Sequence, residues 1–177
     1  MRADAQANRD RILRAADEVF GVHGVEAPTE EVARHAGVGI ATVFRHFPTK
    51  DDLVAAALVR HFEQVLDRAR VLAQSEDPLA AFTDLVEAMA MSGAARSTLA
   101  GVLGELPEPA RPAARALRAA LGRSLRRAQT AGAVRSDVTV DQLHLLVRGL
   151  AAAAAAAGSK RATVRGAVAV VIAGVRA

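Results

Sequence analysis

Residues 32–50 read VARHAGVGIATVFRHFPTK, two short helical patterns that meet at Ala36-Gly37-Val38. Glycine just past a helix end takes the left-handed backbone at the least steric cost, and a tight corner between two helices requires that backbone. Val32, Ala33 and Ala36 share one helical face before the corner. After it, Val43 and Phe47 repeat at i, i+4, with Val38 tucked into the turn. The second helix, expected from Ile40 to His46, therefore turns Gly39, Ile40, Ala41, Thr42, Phe44, Arg45 and His46 outward. Small residues at its start and a forked cation near its end suit insertion into a major groove, where a guanidinium reads guanine O6 and N7.

Upstream, residues 1–7 are small and polar and read as an unstructured arm. From Asn8, a residue suited to an N-cap, Ile12, Ala15, Ala16, Val19 and Phe20 recur at helical spacing until Gly24. This first helix is expected to bury Ile12, Val19 and Phe20 against the next two. Pro28 suits a first helical position, and Glu30 and Glu31 suit the first turn that follows.

Downstream of Lys50 an apolar stripe of Val54, Leu58, Phe62, Val65, Ala69 and Leu72 predicts one long helix, which ends before Ser75-Glu76-Asp77-Pro78. There Asp77 is a cap and Pro78 a helix start. Leu79, Phe82, Leu85, Val86 and Met89 predict a helix ending near Ser92-Gly93, followed by a short weak helix over 94–104 and a loop over 105–109. Pro112 opens or kinks a helix carrying Leu117, Leu121 and Leu125, with its end at Gly132. After a loop over 132–138 come two final helices. One carries the stripe Leu143, Val147, Leu150, Ala154 and Ala157; the other carries Val164, Val168, Val171 and Val175, with Ala167, Val170 and Gly174 adding a second apolar side. These helices have more apolar surface than one contact face covers. Pairing of two copies into a four-helix bundle is the expected solution, with Leu143, Val147, Leu150, Ala154, Val164, Val168, Val171 and Val175 at the interface. Burial of an Ala-rich helix inside one monomer is the alternative.

The fold class is all-α, with a helix-turn-helix domain over 1–50 and a larger helical domain over 51–177. Hydrophobic residues make up 51% of the 177 and aromatics only 3%, which favours close helix packing over a deep aromatic pocket. With no Cys, neither a disulfide framework nor a cysteine metal site is possible. No His stands at i+3 or i+4 from His46, so no zinc site is expected. The longest apolar runs, 149–158 and 166–175, are far short of the roughly twenty residues that a membrane span needs, and a cytoplasmic protein without a membrane partner is expected. The net charge of +4 does not locate a nucleic-acid surface: residues 1–50 hold seven Arg or Lys and seven Asp or Glu, and the remainder holds sixteen against twelve. Seven Arg and no acid lie from Pro109 to Arg135 inclusive. They fit either a site for an anionic ligand or a solvated helix face. No paired carboxylate, nucleophile or phosphate loop stands near His61 or His144, so catalysis is not expected, and no cofactor is.

The run AGVGIATVFRHFPTK followed by DDLV resembles the recognition helix and the next helix start of the TetR family of bacterial transcriptional regulators. That family's usual pattern is close to AGV-x-x-x-T-[LV]-Y-x-H-F-x-x-K-x-x-L. The resemblance covers Asn8 to about Ala56 directly. It implies a DNA-binding head joined by a long helix to a C-terminal helical domain for ligand binding and dimerisation. A homodimer would hold a palindromic operator in double-stranded DNA, its recognition helices about 34–36 Å apart, and a small-molecule effector would release it. The same dimer interface is implied. Carried onto this sequence, the resemblance makes Arg45 the base reader, with Gly39, Ile40 and Ala41 at the DNA-facing start and Thr42 near base or phosphate. His46 and Lys50 match phosphate-binding positions, and Lys50 opens a helix whose free N–H groups also favour phosphate. Family members have hydroxyl residues near Ala27 and Pro28, a role that Thr29 could take here. Phe44 departs from the usual Tyr and loses a hydroxyl that donates to phosphate; Phe44→Tyr is expected to tighten binding without changing sequence preference. The implied effector pocket falls among the middle helices, with Phe62, Phe82, Met89, Leu103, Leu121 and His144 as candidate lining and plain core packing as the alternative. A regulator without an effector, or a helical interaction module that has lost DNA binding, are the other readings.

Overall fold

The computed structural model describes residues 2–24, 26–103 and 106–177, with side chains described for 4–24, 26–91 and 106–177. Among these residues the chain forms eight α-helices and no named strand: α1 (Arg2–His23), α2 (Thr29–Ala36), α3 (Ile40–His46), α4 (Lys50–Leu72), α5 (Pro78–Leu103), α6 (Arg111–Thr130), α7 (Val140–Ala156) and α8 (Arg161–Val175). A 3-10 turn at Glu108–Ala110 precedes α6. The described residues of 1–61 and 98–111 form one compact unit and those of 62–97 and 112–177 another. The division falls inside α4, so the first unit keeps about three turns of that helix beyond residue 50.

In the first unit α1 packs on α2 and α3. Ile12, Val19, Phe20, Val32, Val43, Phe47, Leu53, Val54 and Leu58 are all buried. Helices of eight and seven residues, as α2 and α3 are, do not persist alone in water. Burial worth roughly 1.5–3 kcal/mol for each large apolar side chain is what holds them. The corner between them forms as the sequence requires. Gly37 sits at φ +63, its N–H donating to the Arg34 carbonyl at 3.2 Å while the Val38 N–H reaches the Ala33 carbonyl at 3.1 Å, a Schellman closure. Arg60 donates to Asp17 at 3.2 Å and ties α4 to α1.

One expectation fails at the N-terminus. Residues 2–7 continue α1 instead of forming an arm, and Asn8 lies within the helix, accepting from Arg11. Asp4 in the first turn complements the helix dipole, and Gln6 donates to Asp10 at 3.0 Å one turn on.

In the second unit Phe62, Phe82, Leu85, Val86, Leu121, Leu143, Val147, Val168 and Ile172 are buried. Asp77 caps α5 as expected, its carboxylate accepting from the Leu79 and Ala80 N–H groups, both at 2.9 Å. The helix does not stop at Ser92-Gly93 but runs to Leu103. A mid-helix glycine costs only about 1 kcal/mol against alanine, too little by itself to end a helix. Thr139 and Gln142 form a capping box at the start of α7. The end of α8 is stitched to the loop before α7, where Val134 and Arg176 bridge and Arg135 donates to the Gly174 carbonyl at 3.3 Å. The same guanidinium grips both oxygens of Asp137 at 3.1 Å and holds that carboxyl below the usual carboxylate range.

Arg127 of α6 answers what the arginine-rich stretch does at one position. Its guanidinium donates to the carbonyls of Leu72, at 3.5 Å, Ala73, at 3.3 Å, and Ser75. These carbonyls lie at the end of α4, where the last helix carbonyls outnumber the helix's own donors and the dipole is negative. Arg127→Ala takes this donor from the Ala73 and Ser75 carbonyls, while the Leu72 carbonyl keeps the Ser75 N–H at 3.1 Å, and charge-assisted bonds of this kind are worth about 1.5–3 kcal/mol. Urea denaturation of the second unit is expected to shift by about 2 kcal/mol, with Arg127→Lys recovering only part because an ammonium cannot fork across three carbonyls. An unchanged midpoint for Arg127→Ala would show the clamp to be idle.

Candidate nucleic-acid interface

Helix α3 sits on the head by one face only. Val43 and Phe47 are buried, while Gly39, Ala41, Phe44 and Arg45 are exposed and Ile40, Thr42 and His46 are half-covered. The outward set is the one that the periodicity predicts. Phe47 is held from two sides: the Arg9 guanidinium of α1 lies 5.2 Å from its ring centroid, and the His46 ring lies 6.3 Å away at a tilt. This fixes the C-terminal end of α3, where Arg45 and His46 project. Among the described residues Arg45, His46 and Lys50 have no ion-pair partner. The first fifty residues are neutral in sum, yet two of their cations, Arg45 and Lys50, stand without an internal ion pair among the described residues.

Two predicted phosphate contacts change. Thr29 is only 7% exposed, and Glu30 and Glu31 stand in the first turn beside it. The burial of the residue and the two carboxylates at that helix start both disfavour a phosphate. At the start of α4 the Thr49 hydroxyl accepts from the Asp52 N–H at 3.1 Å, and the Asp52 carboxylate accepts from the Thr49 N–H at 3.0 Å and its hydroxyl at 2.8 Å. This capping box uses the N–H of Asp52 and places Asp51 and Asp52 in the first turn. The box takes up one of the free N–H groups at this helix start, and the two carboxylates there weaken its pull on a phosphate.

The predicted dimer seam is corrected in the same way. Leu143, Val147, Ala154, Val164, Val168 and Val175 are buried within the subunit, and Leu150 and Val171 are half-covered. Side chains already packed inside one copy have no surface left for a second. The face left open lies beside that stripe. Leu145 is 73% exposed and Val170 74%, and together with Leu146, Gly149, Leu150, Ala153, Ala167 and Val171 they line a shallow apolar groove along α7 and α8. The sequence shows the second apolar side of α8 in Val170; its counterpart on α7, Leu145 and Leu146, lies beside the regular stripe and gives no separate periodic signal.

Of the candidate pocket residues, Phe62, Phe82, Met89 and Leu121 are buried in the second unit and His144 is half-buried there; Leu103 lies outside the described side chains. The basic stretch is not one cluster. Arg111 pairs with Glu108, Arg118 with Asp141 and Arg135 with Asp137, and Arg127 is spent on carbonyls. No group of three metal-binding side chains occurs among the described residues, and none of their helices is long and apolar enough to cross a membrane.

Residues 12–57 match the family described as bacterial regulatory proteins, tetR family, and residues 77–177 match the C-terminal domain described as transcriptional regulator SbtR-like. An HTH-type transcriptional regulator of Staphylococcus aureus is 37% identical over 75 residues, 38% of this chain and 40% of that one. The chain thus spans two fifths of that relative's length. Over whole chains, the TetR transcription regulatory protein from Mycobacterium vanbaalenii is 36% identical, covering 99% of each chain with a TM-score of 0.77. The TetR transcriptional regulator SCO0520 from Streptomyces coelicolor is 27% identical over 95% of this chain and 98% of that one, with a TM-score of 0.78. With the head, the C-terminal domain and the full-length fold all matched, the chain belongs to the TetR family of bacterial transcriptional regulators, DNA-binding proteins and not enzymes.

Proposed function

We propose that this regulator is a repressor that holds a palindromic operator as a homodimer and is released by a small molecule. The reading rests on one observation above the others: the chain leaves two surfaces unfinished. On α3 and at the start of α4 the cations Arg45 and Lys50 lack internal ion-pair partners, and on α7 and α8 an apolar groove lacks a cover. A nucleic-acid groove completes the first and a second copy of the chain the second, since a two-fold pairing sets each groove on its own likeness.

In this scheme Arg45 reads a base while Thr42, His46 and Lys50 hold phosphates, with Gly39, Ile40 and Ala41 letting the helix approach closely. Leu145, Leu146, Leu150, Val170 and Val171 form the dimer seam. The effector enters among Phe62, Phe82, Met89, Leu121 and His144, and shifts α4 between two settings. A difference of a few kcal/mol in its affinity for them empties the operator. Repression needs no more than occupancy of the promoter.

The test is DNase footprinting of the region upstream of the regulator's own gene. A protected inverted repeat, with half-site centres about one helical turn apart or a multiple of it, is expected. A single unrepeated patch would sink the dimer, and no protection there would sink the proposed operator.

A further inference from the structure

We infer that α3 reads thymine methyl groups, through the Phe44 ring and the Ala41 side chain, next to the guanine read by Arg45. The inference rests on the reading that α3 enters a major groove, and it names the bases that the half-site must contain. Ala41, Phe44 and Arg45 stand at i, i+3 and i+4, so they share one face of the helix, and all three are exposed. Among the chain's five phenylalanines, Phe20, Phe47, Phe62 and Phe82 are no more than 5% exposed, whereas Phe44 is 44% exposed. Phe44 is thus the one phenylalanine whose ring stands partly in solvent, on the helix that carries Arg45 without an ion pair.

The chemistry of the face selects its target. Residues 39–46 include no Asn or Gln to bracket adenine and no Asp or Glu to accept from cytosine. A ring without a hydroxyl has nothing to donate to a phosphate, and pressing it against one strips water from an anion without return. The thymine 5-methyl is the apolar group that the major groove offers. Methyl against ring and methyl against methyl remove apolar surface from water on both sides.

The experiment selects duplexes from a pool with a randomised central stretch, using the full-length protein, and measures affinity for the enriched sequence made with thymine or with deoxyuridine. The enriched half-site is expected to carry guanine flanked by thymine. Removing one read methyl should weaken binding about fourfold, the worth of a buried methyl-sized group. Phe44→Ala should bind the thymine and deoxyuridine duplexes alike at the position that the ring reads, and Phe44→Tyr should keep the discrimination. Because the side chain is exposed, these variants are expected to melt with the wild type, which circular dichroism checks. Equal wild-type affinity for both duplexes, thymine-free sites, or discrimination retained in Phe44→Ala would overturn the proposal while leaving DNA binding intact. Failure to enrich any sequence would overturn the DNA reading beneath it.

Discussion

Val170→Asp is expected to leave the protein monomeric at micromolar concentration and to weaken operator binding by at least about a hundredfold. Val170 is 74% exposed on α8 and faces the groove that it shares with Leu145 and Leu146. In a two-fold interface the substitution occurs twice, so two carboxylates must lose water against apolar walls that offer no partner. Each costs several kcal/mol, more than the groove's few exposed aliphatic side chains return at roughly 25 cal/mol per Å². A monomer presents one recognition helix where the dimer presents two held in register, and losing the tethered second contact alone removes a factor of about 10² or more. Sedimentation velocity and a gel-shift titration read the two effects. Helicity should stay at the wild-type level because the site lies on the subunit surface. Val168→Asp is the contrast: Val168 is buried in the subunit, so the same charge there unfolds the chain. A dimeric Val170→Asp protein would place the seam elsewhere.

That contrast also marks where the sequence stops being legible. The head could be read closely because each requirement is local. A left-handed glycine, two small-residue helix faces and an i, i+4 apolar pair suffice to place Gly37, Val43 and Arg45, and the structure places them so. On α7 and α8 the local signal is degenerate. Ala, Val and Leu cover most of both circumferences, and periodicity alone cannot say which of two apolar arcs turns inward. The arc with the larger regular stripe, Leu143 to Ala154 and Val164 to Val175, went to the subunit core, leaving the neighbouring arc exposed. The start of α1 and the continuity of α5 are not legible in the same way, because a capping residue at Asn8 and a glycine at Gly93 mimic helix ends where the backbone continues. Arg127 could not be read at all, since its partners are main-chain carbonyls more than fifty residues away and carry no side-chain signature.

Arg45→Ala is expected to weaken binding to the footprinted repeat by about thirtyfold or more and to relax the preference for guanine at one position in each half-site. A bidentate guanidinium–guanine pair carries roughly 1–3 kcal/mol of discrimination, and a dimer makes it twice, so the summed loss is about 2–6 kcal/mol. Stability should not follow, because Arg45 is exposed and makes no side-chain hydrogen bond or ion pair among the described residues. Lysine at position 45 keeps the charge but not the fork, so Arg45→Lys should recover attraction for DNA without recovering the base preference. Lys50→Ala separates the two kinds of contact. A lost phosphate contact lowers affinity for all sequences alike and flattens the dependence of log affinity on log salt by about 0.9 per contact. Arg45→Ala should instead change which sequences are held. If Arg45→Ala bound the repeat as tightly as the wild type, or lost affinity equally for every base at the read position, the guanidinium would belong to the phosphate grip and the base reading would have to come from the apolar face beside it.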